Sequence, residues 1–342
     1  MHTPTYHRLR VRNVIEETAD AKSLVFDVPA HLRSSFTYRP GQFLTLRVPH
    51  GDGHLPRCYS LASAPASDDA PRVTIKRVEA GRASNWLCEQ VQAGDELDVM
   101  PPAGVFTPKS LDGDFLLFAG GSGITPVFSI LRSALTGGAG RLCLIYANRD
   151  QQSIIFRDAL RALASAHPHR LQVLHWLDAV QGVPSVAQLA ELARPWRGAE
   201  SFICGPAPFM DAAVEALHAL EIPPARIHVE RFVSLPEEGG PGAPAAEGGG
   251  AQVRLDVELN GELHELSCSD RETVLDALLR AGIDTPYSCR AGACATCMCT
   301  LVAGKVTHRR NDVLDKNDLD QGWCLACQAV PDAAHVRLRF PD

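Results

Sequence analysis

Cys289, Cys294 and Cys297 run as C-x4-C-x2-C, and Cys327 follows after 29 intervening residues. Four thiolates at this spacing suit a [2Fe–2S] cluster, three from one tight loop and the fourth from a distant strand end. Small residues in the loop (Gly292, Ala293, Ala295) let the backbone wrap the cluster and aim amides at its sulfurs. A zinc reading shares some of these thiols. Cys294-x2-Cys297 and Cys324-x2-Cys327 form a CxxC…CxxC pair, with a spacer of 26 residues that is long for a zinc ribbon. It leaves Cys289 unused and gives no role to Pro286-Tyr287-Ser288, so the cluster is the expected ligand. Cys268, Cys299 and Cys324 are expected to be small buried hydrophobes.

Four further stretches could handle phosphates and a redox ring. Arg57-Cys58-Tyr59-Ser60 combines a cation for a phosphate, an aromatic face and a hydroxyl that could meet a flavin ring nitrogen. Gly81-Arg82-Ala83-Ser84 reads as a turn opening a helix, whose free amides suit a diphosphate. Gly120-Gly121-Ser122-Gly123-Ile124-Thr125-Pro126 lies between an apolar run and a helical one, the context a phosphate-cradling loop requires. It departs from G-x-G-x-x-G. Cys204-Gly205-Pro206 occupies a second strand-to-helix turn, where ligands collect in open parallel sheets.

The elements that must position these residues fall into three blocks. Residues 1–108 are strand-rich, with alternation at Gln42–Val48 and Val73–Arg77, recurrent turn signals and one short helix near Ser84–Val91, which suggests an antiparallel β-barrel. Residues 109–235 alternate apolar strands (Phe115–Ala119, Leu142–Ala147, Leu171–Trp176, Ser201–Cys204) with helical segments such as Ile154–Leu163 and Met210–Leu220. That order predicts a parallel α/β sheet. Residues 236–250 (PEEGGPGAPAAEGGG) read as a flexible linker. Residues 251–342 start with strands at Gln252–Leu259 and Glu262–Leu266 and a helix at Thr273–Ala281, ahead of the cysteine loop.

The 342 residues suit two or three domains. A net charge of −7 without long basic stretches argues against nucleic acid. No apolar run reaches membrane-spanning length, and no secretory signal is visible, so a cytoplasmic location is expected. Residues 1–235 carry 23 basic and 23 acidic groups, whereas 251–342 carry 10 and 14. The acidic C-terminal block is therefore the expected docking face for a partner.

PYSCRAGACATC (Pro286–Cys297) with LACQ (Leu325–Gln328) resembles plant-type ferredoxin over essentially all of 252–342. The Arg57–Ser60 stretch, Gly81–Leu87, the GGSGITP loop and Cys204-Gly205-Pro206 resemble the ferredoxin–NADP reductase superfamily. The three blocks together resemble the reductase components of multicomponent oxygenases, most nearly, on Lys76–Cys88, Asp114–Pro126, Tyr146–Asp150 and Asn311–Gly322, those of 3-ketosteroid 9α-hydroxylases, with the phenylacetyl-CoA epoxidase and phthalate dioxygenase reductases as alternatives. The resemblance implies a flavin-binding β-barrel, a pyridine-nucleotide domain and an α+β β-grasp ferredoxin. It implies FAD (rather than FMN) held by Arg57, Tyr59, Ser60, Lys76, Gly81, Ala83 and Ser84, with Phe232 covering one flavin face. The nucleotide falls to Gly121, Gly123, Thr125, Pro126, Gly205 and Pro206. Ser60, Cys204 and Glu230 are implied at the reacting rings, and Cys289, Cys294, Cys297 and Cys327 at the iron.

Tyr146-Ala147-Asn148-Arg149-Asp150 ends the second strand of the α/β block, with Arg149 suiting a 2′-phosphate and Asp150 opposing one. The resemblance favours NADH over NADPH. It also implies a terminal oxygenase of Rieske type as partner. A flavin placed between a hydride donor and a one-electron cluster converts electron pairs to single electrons.

Overall fold

The computed structural model describes residues 6–51, 53–232, 251–287, 290, 292, 295–311, 313–314 and 316–341. Stretch 236–250, Cys289 and Cys294 lie outside the described residues.

The first unit is a six-stranded antiparallel sheet of β1 (His7–Thr18), β2 (Ala21–Asp27), β3 (Phe43–His50), β4 (Gly53–Ser60), β5 (Arg72–Lys76) and β6 (Glu96–Val99). Its order is β4-β3-β6-β1-β2-β5, and a Leu61–Val73 bridge brings the two edges together as a barrel. Alternation along β2, β3 and β5 fills the interior with Leu24, Phe26, Leu44, Leu46, Val73 and Ile75. Helix α1 (Arg82–Gln90) closes one end with Leu87 and Cys88. It starts two residues before the expected segment, directly after the Gly81 turn.

The second unit is a five-stranded parallel sheet, β11-β10-β7-β8-β9. Its strands are β7 (Phe115–Gly120), β8 (Leu142–Asn148), β9 (Leu171–Leu177), β10 (Glu200–Cys204) and β11 (Ile227–Glu230). The chain runs outward from β7 to β9, then crosses to β10 and β11, so the switch point lies between β7 and β10. Helices α2 (Ile124–Gly137), α3 (Arg157–Ala166), α4 (Asp178–Gln181), α5 (Val186–Ala193) and α6 (Ala207–Ala219) connect the strands. Separate apolar clusters lie on the two faces, around Phe128 and Tyr146 on one and around Met210 and Leu217 on the other.

Two helices differ from the expected spans. The segment Ile154–Phe156 is not helical. Asp150 caps a short 3₁₀ turn at Gln151–Ser153, and Phe156 sits at φ 60°, so α3 begins only at Arg157. Ile154, Ile155 and Phe156 are buried in the core, and tertiary burial outweighs their helical periodicity. Helix α6 begins at Ala207 rather than Met210, because Pro206 supplies the extended cap.

The first two units pack directly on each other. The Arg132 guanidinium grips the Asp68 carboxylate, Ser129 Oγ donates to the Ser63 carbonyl at 2.6 Å, and Arg72 lies over the Phe156 ring at 5.1 Å.

The third unit has the sheet order β13-β12-β18-β14-β16. Its strands are β12 (Gln252–Leu259), β13 (Glu262–Ser269), β14 (Met298–Ala303), β16 (Trp323–Leu325) and β18 (His335–Arg339). β15 (Val306–His308) and β17 (Ala329–Pro331) form a separate pair. Only β12–β18 is parallel within the five-stranded sheet. Helix α7 (Val274–Arg280), capped by the Thr273 hydroxyl, packs Val274, Leu275 and Leu278 into this core. A short α8 (Lys316–Asp320) precedes β16.

Candidate functional site

β4 ends at Tyr59 and Ser60, and Arg57 Nη1 donates to the Pro56 carbonyl at 2.7 Å. Tyr59 is largely sheltered, and burial pushes its phenol well above the usual range, so it stays neutral. Gly81 makes a turn that no Cβ fits, since one would lie 2.5 Å from Ser84 Oγ and 2.9 Å from the Val78 carbonyl oxygen. The Ser84 hydroxyl accepts from the Val78 amide, so it braces this turn. Ala83 and Ser84 are buried, and their main-chain amides in the first turn of α1 are what they can offer a diphosphate.

The nucleotide loop reaches this barrel. A Cβ on Gly121 would lie 3.9 Å from Lys76 Nζ, and Lys76 pairs with Asp20 at 3.6 Å. Lys76 at the end of β5 and the glycine loop at the end of β7 thus meet across the two units. Gly121 adopts φ 51°, a left-handed conformation that favours glycine. The loop closes against β10, where a Cβ on Gly120 would lie 2.7 Å from Pro206 Cδ and one on Gly123 would lie 2.2 Å from the Cys204 carbonyl oxygen. A Cβ on Gly205 would likewise lie 2.9 Å from the Gly120 amide nitrogen. Thr125 and Pro126 are buried in the first turn of α2, where Thr125 Oγ1 donates to the Ser122 carbonyl. These two shape the loop from behind.

Cys204 and Glu230 end adjacent parallel strands and face each other in register. Cys204 is fully buried, and burial, then the Glu230 charge, pushes its thiol well up. Glu230 as a whole is half-buried, but its Oε2 is sealed from solvent with no hydrogen-bond partner among the described residues. Burial pushes this carboxyl up to about 8. Both groups are therefore largely neutral at pH 7, and Glu230 can donate a proton in a hydrogen bond. An orphan acid beside a glycine cradle at the switch point fits the amide-bearing ring of a nicotinamide. Phe232, two residues past β11, is 49% exposed.

The raised carboxyl has a pH consequence. Between about 4.5 and 8 the unfolded chain has lost this proton while the folded chain keeps it. The native state binds more protons there, so stability falls as pH rises through the window. Glu230→Gln is expected to flatten this component, read as a shallower decline of the thermal midpoint than in the parent. Equal slopes would show that the carboxyl is not held protonated.

Sequence reasoning missed Asp178, the first residue of α4 after β9. Its Oδ1 is buried without a partner among the described residues, and burial raises its carboxyl. The Ala179 amide donates to the Arg149 carbonyl, tying this corner to the end of β8. Arg149 itself is engaged by Asp150 Oδ2 at 3.1 Å and by Ser153 Oγ at 3.2 Å. The signal available in sequence was an acidic residue directly after an apolar strand, the place where dinucleotide folds meet a ribose.

In the third unit Cys297 and Cys327 are buried and adjacent, and the Cys327 amide donates to Cys297 Sγ at 3.5 Å. Gln328 Nε2 donates to the Arg290 carbonyl at 2.9 Å, which links the fourth-ligand strand to the loop. Gly292 is at φ 72°, and a Cβ there would lie 2.7 Å from the Arg310 carbonyl oxygen. Thr296 Oγ1 is buried with no partner among the described residues, a donor suited to an inorganic sulfide. These features fit an iron–sulfur cluster held by Cys297 and Cys327 from this side. Cys299 and Cys324 face each other across β14 and β16 with sulfurs 3.4 Å apart in the core.

Comparison with known proteins agrees with this geometry. Residues 8–107 match the oxidoreductase FAD-binding domain, 117–215 the oxidoreductase NAD-binding domain, and 257–332 the 2Fe-2S iron-sulfur cluster binding domain. The chain is 53% identical over 339 residues to the ferredoxin reductase component of 3-ketosteroid-9-alpha-monooxygenase from Rhodococcus rhodochrous, covering 97% of this chain and 96% of that one. Phthalate dioxygenase reductase superposes with a TM-score of 0.60 at 23% identity, over 99% and 100% of the two chains, and shares the fold. An intact type IV self-sufficient cytochrome P450 monooxygenase superposes with a TM-score of 0.69 at 24% identity. There the match covers 98% of this chain and only 41% of the other. No helix among the described residues is long and apolar enough to cross a membrane. The chain belongs to the family of oxygenase reductase components, built from FAD-binding, NAD-binding and 2Fe-2S domains, that includes the 3-ketosteroid-9-alpha-monooxygenase ferredoxin reductases.

Proposed function

We propose that this chain takes hydride from NADH onto FAD and delivers single electrons through its [2Fe–2S] cluster to a separate terminal oxygenase of Rieske type acting on a 3-ketosteroid. The observation that carries this reading is the end-to-end 53% identity to a 3-ketosteroid-9-alpha-monooxygenase reductase component. Residues 1–108 hold FAD through Arg57, Tyr59, Ser60, Lys76 and the Gly81–Ser84 turn. Residues 109–235 hold NADH at Gly121, Gly123, Thr125, Pro126, Gly205 and Pro206. Residues 236–250 link these to the ferredoxin domain, 251–342, where Cys289, Cys294, Cys297 and Cys327 bind the cluster. The setting is cytoplasmic.

FAD supplies the conversion of a two-electron donor to one-electron steps. The protein's own share is placement. The glycine loop brings the nucleotide against the barrel at Lys76, Phe232 covers the flavin, and Ser60 and the neutral Cys204–Glu230 pair flank the reacting rings. Anaerobic titration with NADH should bleach the flavin and cluster bands together, at about three electrons per chain. A protein that binds no flavin, or whose cluster band survives excess NADH, would overturn the reading.

The preference for NADH rests on Asp178. Its carboxylate suits a ribose hydroxyl and opposes a 2′-phosphate, while Arg149 is held by Asp150 and Ser153. Asp178→Asn is expected to shift the ratio of kcat/KM for NADPH over NADH upward by about tenfold or more, the scale of one charged hydrogen bond lost and one repulsion relieved. An unchanged ratio would place nucleotide choice elsewhere.

A further inference from the structure

We propose that Tyr146 is a positioning residue that fixes the glycine loop in the shape that receives the nicotinamide nucleotide. Tyr146 belongs to β8 and is fully buried. Its hydroxyl donates to the Gly121 carbonyl at 3.0 Å and accepts from the Ile155 amide at 3.3 Å. Gly121 is the loop residue in the left-handed conformation and the one nearest Lys76. Its carbonyl also accepts from the amide of Ile124, the first residue of α2. One phenol therefore ties together two features that lie on different elements. The first is the left-handed corner of the nucleotide loop. The second is the non-helical run ahead of α3, which ends at Phe156 with its φ of 60°.

The two ends of this bridge do different work. Ile155 packs in the core, and its amide serves the fold. Gly121 lies at the meeting of nucleotide loop and barrel, so its orientation sets where the following amides point. Burial keeps the phenol neutral, and the bridge persists across the working pH range. The loop is held on its far side by the close backbone of Cys204 and Gly205. Without the phenol, the Gly121 carbonyl keeps the Ile124 amide of its own loop and loses its tie to β8.

The inference rests on the NADH reading above. Tyr146→Phe keeps the ring and removes only the hydroxyl. The expected result is a KM for NADH raised by about tenfold, the scale of one lost hydrogen bond, with kcat within about twofold and FAD content unchanged. Hydrogen exchange at residues 121–125 should quicken in parallel. A role in folding alone would lower the thermal midpoint without splitting KM from kcat, and that outcome overturns the inference. If Tyr146→Phe does not accumulate as folded FAD protein, 3-fluorotyrosine placed at position 146 alone alters the phenol without deleting it. A KM that moves in the labelled parent supports the role, and an unmoved KM overturns it. A parent protein that does not oxidise NADH would instead overturn the functional reading itself.

Discussion

Cys327→Ser is expected to leave NADH-to-ferricyanide electron transfer close to the parent rate and to lower reduction of the oxygenase by at least ~100-fold, since loss of mere outer-shell partners already costs 10–100-fold at metal sites. The separation follows from the architecture. FAD and NAD elements lie in the barrel and the parallel sheet, whose shared contacts run through Asp68–Arg132, Ser63–Ser129 and Lys76–Gly121. Cys327 lies in the turn between β16 and β17 of the third unit, whose sheets pair with neither. It is buried, follows β16 by two residues, and its amide points at Cys297 Sγ. A serine there removes a thiolate from a site with no slack, because Gln328 Nε2 already ties this strand to the Arg290 carbonyl. The readouts are the visible absorbance of the cluster and two acceptor assays on one preparation. Loss of ferricyanide activity alongside the cluster would show that the third unit supports the flavin site. An intact cluster spectrum would remove Cys327 from the ligand set.

The sequence was most legible where chemistry forces spacing. C-x4-C-x2-C with a distant fourth cysteine can be read directly, because few other uses need thiols at those intervals. The parallel sheet was legible for a related reason. Phe115–Ala119, Leu142–Ala147 and Ser201–Cys204 are apolar without alternation, as strands covered on both faces must be. The start of α3 was not legible. Ile154, Ile155 and Phe156 have helical periodicity, yet Asp150 spends its carboxylate on Ser153, and the three side chains are drawn into the core.

Asp178, Tyr146 and Arg72 were missed because their roles depend on what arrives from other elements. Asp178 matters because no partner reaches its Oδ1, and Tyr146 because Gly121, 25 residues earlier, folds back onto its hydroxyl. Arg72 lies over aromatic rings of the other unit, a contact that no local pattern announces. Net charge is an average of the same kind. The C-terminal block is acidic as a sum, but Arg254 pairs with Asp256 and Glu265, Arg280 with Glu272, and Arg339 with Glu258. These pairs occupy particular carboxylates and leave the acidic excess of the block on the others.

Gly123→Ala is expected to lower kcat/KM for NADH by about 100-fold, the loss that a misplacement of about 1 Å can cause in a reacting pair. Gly123 has an ordinary helical conformation (φ −62°, ψ −9°), so alanine meets no backbone strain. What it meets is main chain, since its Cβ would lie 2.2 Å from the Cys204 carbonyl oxygen, 2.4 Å from its carbon and 2.6 Å from the Gly205 nitrogen. No flexible side chain can give way, so the loop or the end of β10 must move. That movement displaces Cys204 from its register with Glu230 and opens the cradle at the switch point. Gly121→Ala is the contrasting variant. Only Lys76 Nζ lies within reach of its Cβ, at 3.9 Å, but its φ of 51° is strained for alanine, at about 1–2 kcal/mol. Steady-state NADH oxidation with ferricyanide, normalised to bound FAD, separates the two. A larger loss in Gly123→Ala than in Gly121→Ala is the expected order, because a clash between main chains moves the site and a strained dihedral chiefly lowers stability. Equal, small losses would mean that the loop can open away from β10 without disturbing the nucleotide.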